Sequence, residues 1–237
     1  MGIFFNCRIA HMHSSNCFIF KIFSLRTKFS MFFDYFYALI LSLIQGITEF
    51  IPISSSSHLI IFSKGANFTY RSLELDVGLH LGSLLAIIIY FRKDLIEIKK
   101  NKNLLLLLSL GSLPLFIVGF LIYYSGFINY LRDIQIIAWS TLIFGIFLYI
   151  SDKFKTNKKL NEDLSIKKII LIGLLQCLAF VPGVSRSGII ITGARLINFN
   201  RVDSSKISFY LSIPAIAGAS LLGLNEIFNK NLDFNLI

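Results

Sequence analysis

The feature that most constrains this chain is a series of apolar runs, each bounded by charged or turn residues. Phe32–Ile51 comes first, followed by Leu75–Phe91, Leu104–Tyr124, Ile134–Ile150, Ile169–Val181 and Ile207–Leu224. Crossing roughly 30 Å of hydrocarbon takes about 20 helical residues. Leu104–Tyr124 meets that length, whereas Ile169–Val181 rises only about 20 Å as helix. Charged residues make up 15% of the chain, against about 25% in soluble domains. Since lipid offers no hydrogen bonds to open backbone, the predicted fold class is all-α, a polytopic membrane helical bundle.

The net charge of +10 does not point to nucleic acid. The cations concentrate in two short segments beside apolar runs, Arg92–Lys102 and Asp152–Lys168, which hold eleven Lys or Arg between them. Such a bias marks cytoplasmic loops. The intervening segment, Ser125–Asp133, has only Arg132 as a cation. Leu75–Phe91 therefore enters from outside, Leu104–Tyr124 returns outward, and the segment with Tyr70, Arg71 and Glu74 faces outward.

Cys7, Cys17 and Cys177 show neither metal-ligand spacing nor a disulfide framework. Residues 1–30 carry Lys21, Arg26 and Lys28 near their end and lack a clean signal-peptide pattern. They read as an N-terminal extension, with residues 31–237 as a single membrane domain starting near Met31.

Polar chemistry interrupts the first apolar run in "QGITEFIPISSSSHLIIF", Gln45 to Phe62. "QCLAFVPGVSRSG", Gln176 to Gly188, resembles it: Gln45 matches Gln176, Pro52 matches Pro182, and a serine-rich turn comes after each proline. By the charge argument the two units run in opposite directions, which predicts two inverted repeats. Proline breaks a helix, and broken backbone at membrane depth is tolerated only inside protein or beside a water-filled cavity. Each repeat is thus expected to contain a re-entrant helical hairpin, in a bundle of six to eight helical elements. At each tip a new helix N-terminus offers backbone donors and a dipole suited to phosphate.

Intramembrane ionisable residues are functional candidates. Glu49 lies one turn after Gln45, so the two share a face, and a carboxylate beside an amide suits Mg²⁺ or Ca²⁺. The alternative for Glu49 is an ion pair with Arg186 that holds the hairpins together. His58 is a candidate proton carrier, whereas His80, on a full-length run, reads as a packing histidine. Arg186 offers a planar fork for phosphate. Gln45, Ser54 and Ser56 from the first turn, and Ser185, Ser187 and Gly188 from the second, complete the expected phosphate contacts. Ser54 or Ser55 activated by His58, or water activated by Glu49 or a metal, are both possible nucleophiles.

At these residues the chain resembles the undecaprenyl-diphosphate phosphatase family of the bacitracin-resistance type. "QGITEFIPISSSSH" matches (E/Q)GxTEFxPxSSxGH, and "PGVSRSG" matches PGxSRSG; "LHLGSLLAIIIYFRKDL" and "ISFYLSIPAIAGA" support the match from about Met31 to Leu224. The resemblance implies hydrolysis of undecaprenyl diphosphate to undecaprenyl phosphate and phosphate, recycling the lipid carrier of peptidoglycan synthesis. It further implies a divalent metal held by Glu49, a multi-pass place in the bacterial inner membrane, and an active site toward the periplasm. Catalytic roles fall on Glu49, Ser55, His58 and Arg186, with Gln45 at the first motif position. A homodimer is the oligomeric expectation. Three positions depart from the family pattern. Ser57 replaces a glycine, Ile190 replaces a threonine, and the chain stops soon after Leu224, where family members continue through two more helices. A C-terminally shortened domain is expected on that ground.

Other activities leave different marks. The acid-phosphatase superfamily needs a histidine after its Ser-Arg motif, and no histidine occurs beyond His80. A P-loop, G-x-x-x-x-G-K-[ST], does not occur. The remaining alternatives are a polyprenyl-phosphate transporter, because inverted repeats with broken helices are transporter architecture, and an inactive truncated homologue.

Overall fold

The computed structural model describes residues 35–65, 73–125, 133–154 and 158–234. The N-terminal extension, Cys7 and Cys17, and the outward segments with Tyr70, Arg71 and Arg132 lie outside these residues. The chain divides into two compact units, residues 1–40 and Leu41–Ile237. The described residues of the first are the opening turns of helix α1, Tyr35–Thr48. The second holds all the other helices among the described residues.

Nine α-helices come after α1 among the described residues. They are α2 (Ser55–Gly65), α3 (Leu73–Tyr90), α4 (Arg92–Lys100), α5 (Lys102–Ser125) and α6 (Ile134–Asp152). After them come α7 (Leu160–Asp163), α8 (Ile166–Gln176), α9 (Arg186–Leu196) and α10 (Arg201–Phe234). A 3₁₀ turn, Cys177–Phe180, extends α8. Leu73–Tyr90, Lys102–Ser125, Ile134–Asp152 and Arg201–Phe228 are long and apolar enough to cross a membrane, whereas α8 is too short. The chain is a multi-pass membrane protein. The helices exceed the expected six to eight because neither basic segment is a plain loop: Asp152–Lys168 contains α7, and Arg92–Lys102 is helical as well. It forms α4, whose Ile98 is buried while its cations face outward, an amphipathic pattern that favours helix.

Both basic segments sit at one end of the bundle. Ile98 of α4, Leu104 of α5 and Leu160 of α7 share a hydrophobic cluster with Ile169, Ile172 and Leu211. At that end the side chain of Arg195 reaches the carbonyls of Asp152 (2.6 Å), Phe154 (3.1 Å) and Phe199 (3.1 Å). Arg201 forks onto Asp152 at 2.8 and 2.5 Å.

The chain has four prolines. Pro114 and Pro214 lie inside α5 and α10, whereas Pro52 and Pro182 sit in the breaks before α2 and α9. The second break has partners for its freed carbonyls. Ser140 of α6 donates to Pro182 O at 2.5 Å, and Thr141 donates to Gly183 O at 3.3 Å. Gly183 adopts φ +99°, and a Cβ there would overlap Ser140 Oγ, so this turn admits only glycine. α8 lies so close to α5 that a Cβ on Gly173 would overlap the Gly111 carbonyl.

Candidate active site

The two breaks meet. Ser187 Oγ donates to Ile51 O at 3.1 Å, and Gly188 faces the ring of Pro52. The contact lies well inside the long helices. His80 at the site is seven residues into the eighteen of α3, about 10 Å from one end and 15 Å from the other. Ser140, against the second break, is six residues into the nineteen of α6.

Glu49 is the hub. Its side chain is 4% exposed and pairs through Oε1 with the guanidinium of Arg186. Its other oxygen, Oε2, accepts from Ser55 Oγ at 2.5 Å and from Gln45 Nε2 at 2.9 Å. One carboxylate therefore gathers three of the residues picked out from the sequence. Charge-assisted bonds of this kind are about twice as strong as neutral ones. The Glu49–Arg186 pair, the alternative to a catalytic Glu49, is formed. It does not satisfy the arginine, since Arg186 Nε is buried with no hydrogen-bond partner. A guanidinium at the first position of α9 also lies against the positive end of that helix. Both facts favour an additional anion.

The serines divide their work. Ser185 caps α9, accepting from Gly188 N at 3.2 Å, and lies 3.0 Å from Ser187 Oγ. Ser54, at φ 59°, is 5% exposed and turns its hydroxyl to Ser57 at 2.9 Å and Ser56 at 3.4 Å. Ser54 thus shapes the turn, and of the two candidate nucleophiles only Ser55 is aimed at Glu49. Ser56 is exposed and away from this hub. The pairing expected between a serine hydroxyl and His58 is not formed among the described residues. His58 is exposed, and its Nδ1 donates to Ser54 O at 2.8 Å. A carbonyl only accepts, so Nδ1 holds the proton and Nε2 is the free acceptor of the ring.

Two departures from the family pattern leave the site intact. The left-handed residue is Ser54, not Ser57; Ser57 is helical and buried. Ile190 is fully buried in the cluster with Ile169 and Leu211, so its side chain lies in the core and not beside Glu49. His80 departs from the packing role expected of it, for its Nδ1 lies 3.2 Å from Gln45 Nε2. Its helical spacing from Ser83 and Ile87 gives no sign of this, because the contact depends on how α3 meets the last turn of α1.

Among the described residues no group of three or more His, Cys, Asp or Glu is arranged to hold a metal. Near the hub the oxygen donors are Glu49 and Gln45 Oε1, which is buried without a partner. One carboxylate and one orphaned amide oxygen fit a divalent cation that completes its shell with substrate phosphates and water.

The model of the family described as Bacitracin resistance protein BacA matches residues 38–236. The chain belongs to that family. A protein of Pelagibacter ubique (strain HTCC1062), named undecaprenyl-diphosphatase, is 53% identical over 208 residues, covering 87% of this chain and 81% of the relative. The undecaprenyl-diphosphatase of Alcanivorax borkumensis is 41% identical, covering 84% and 80%. That of Elusimicrobium minutum is 40% identical, covering 80% and 76%. Family membership agrees with the site, since the residues matched to the family motifs converge on Glu49.

Proposed function

We propose that this protein hydrolyses undecaprenyl diphosphate to undecaprenyl phosphate and phosphate, the activity that recycles the lipid carrier and underlies bacitracin resistance. The observation that carries the reading is the Glu49 hub, which joins Ser55 at one helix break to Arg186 at the other. The family relation and the relatives' names support it.

In this reading the terminal phosphate takes the place of Glu49 at part of the Arg186 fork and accepts from Arg186 Nε. Ser55 Oγ bonds to the terminal phosphorus while its proton passes to Glu49 Oε2. The anhydride P–O bond breaks, and its electron pair leaves with undecaprenyl phosphate. Water then attacks the phosphoserine, giving one proton to His58 Nε2, while the proton on Glu49 returns to the serine oxygen. When bound, Mg²⁺ or Ca²⁺ at Glu49 and Gln45 Oε1 would offset the charge of the diphosphate.

We further take the cation-rich end as cytoplasmic, the two breaks as tips of re-entrant hairpins in inverted repeats, and the membrane as the bacterial inner membrane. The starts of α3 and α6 then face the periplasm, from which the substrate enters. The test is phosphate release from undecaprenyl diphosphate by the purified protein in detergent, with Mg²⁺ or Ca²⁺ supplied and no gradient. Stoichiometric release is expected. A protein that binds the lipid but releases no phosphate under these conditions is a transporter or an inactive homologue.

A further inference from the structure

The amide of Gln45 is pinned by its neighbours. Glu49 Oε2 is an acceptor, taking the Ser55 hydroxyl at 2.5 Å, so the Gln45 atom 2.9 Å from it is the nitrogen. That nitrogen also lies 3.2 Å from His80 Nδ1. Both of its hydrogens are then directed, one to Glu49 and one to His80. His80 Nδ1 must accept, which puts the ring proton on Nε2. His58 is the reverse case, with Nδ1 donating to a carbonyl. The two histidines of the site are held in opposite tautomers.

Gln45 Oε1 has no hydrogen-bond partner. No protein group at the oxygen end keeps the amide from turning over, so until a cation is bound there its orientation rests on the two contacts of Nε2, which also keep Oε1 available to that cation. A turned amide would set Oε1 against the carboxylate oxygen that also receives Ser55. Repulsion there would swing Glu49 away from the serine.

We propose that His80 is a positioning residue for the hydrolysis. As a neutral ring protonated on Nε2, it locks the Gln45 amide and so holds Glu49 Oε2 toward Ser55. The inference rests on the phosphatase reading above. Wild-type phosphate release tests that reading, and differences among His80 variants test this one.

His80→Leu removes the acceptor. It should lower kcat about tenfold, the scale of one lost hydrogen bond at a reacting group, with KM moved less than about twofold. His80→Asn can present Oδ1 where Nδ1 stood, and it should recover most of the rate that leucine loses. Equal losses in both variants, or none in leucine, would overturn the proposal. A second readout needs no activity. Ring-¹⁵N histidine spectra of the full-length protein, assigned by single His→Asn substitutions, should show His80 protonated on Nε2 and His58 on Nδ1. Substituting Gln45→Ala should change the His80 signals and leave those of His58 in place. A His80 proton on Nδ1 in the unsubstituted protein contradicts the lock.

Discussion

Helix α9 carries an arginine at each end, and the two are built for different purposes. Arg195, in its last turn, reaches three backbone carbonyls, and its Nε, buried without a hydrogen bond as in Arg186, lies at ion-pair distance, 3.2 Å, from Asp152 Oδ1. A cation there also suits the negative end of the helix dipole. Arg186, nine residues earlier, stands at the positive end, pairs with Glu49 and keeps a buried Nε without a hydrogen-bond partner. The fold sets four acceptors around Arg195, whereas among the described residues it offers Arg186 only Glu49, which suits Arg186 to a further anion. The difference between the two guanidinium groups lies in how many acceptors the fold already sets around each.

That difference can be broken most severely at Arg186. Arg186→Ala removes the phosphate grip and leaves Glu49 unpaired. It should lose essentially all phosphate release while the protein still inserts and keeps its helical circular dichroism; substantial turnover would make the arginine dispensable. Next is Glu49→Gln, which preserves volume but removes the charge that orients Ser55 and Arg186. Hydrolysis should fall by about a hundredfold or more, in the range for loss of a major electrostatic group. Near-native turnover there would reduce the Glu49–Arg186 pair to a structural tie. Ser55→Ala sharpens the chemistry of the first break. It should abolish a phosphoserine intermediate trapped by rapid quench and cost most of the turnover, whereas direct attack by water would leave the rate nearly intact.

The opposite outcome is expected at the other arginine. Arg195→Ala strips donors from the buried carbonyl of Phe199 and from the part-buried carbonyls of Asp152 and Phe154, so stability should fall by about 2 kcal/mol. Molecules that remain folded should still hydrolyse at close to the native rate, read as activity per folded protein after a thermal-melt correction. The smallest effect belongs to Arg201→Ala. Its partner Asp152 is shared with Arg195, and the Arg201 side chain is 75% exposed, so the melting transition should not move measurably.

The same contrast explains what is legible in the sequence. The apolar runs mark the long helices because length and hydropathy alone decide which segments can cross lipid. Glu49 and Arg186 stand out because ionisable side chains are rare in such surroundings, and Ser55 because it belongs to a run of four serines beyond a proline. Pro52 and Pro182 mark the breaks, yet Pro114 and Pro214 sit within continuous helices. What separates the pairs is the serine or glycine beyond the proline and, for Pro182, the hydroxyls of Ser140 and Thr141 that donate to the freed carbonyls. Those partners come from a distant helix and leave no local trace. His80 escapes a sequence reading for a similar reason. Segment α4 is hidden by its charge, which reads as loop until its single buried isoleucine is seen to dock on the core.

The central claim is that Arg186 awaits a phosphate which it grips by its fork, while Arg195 serves the fold. The most direct test measures phosphate release from undecaprenyl diphosphate by Arg186→Lys and Arg195→Lys side by side, each normalised to folded protein. Lysine keeps the charge but loses the planar fork. Arg186→Lys should be as stable as the parent and lose most of its hydrolysis, while Arg195→Lys should be less stable and hydrolyse normally per folded molecule. Full activity in Arg186→Lys, or a matched loss of activity in Arg195→Lys, would contradict the account.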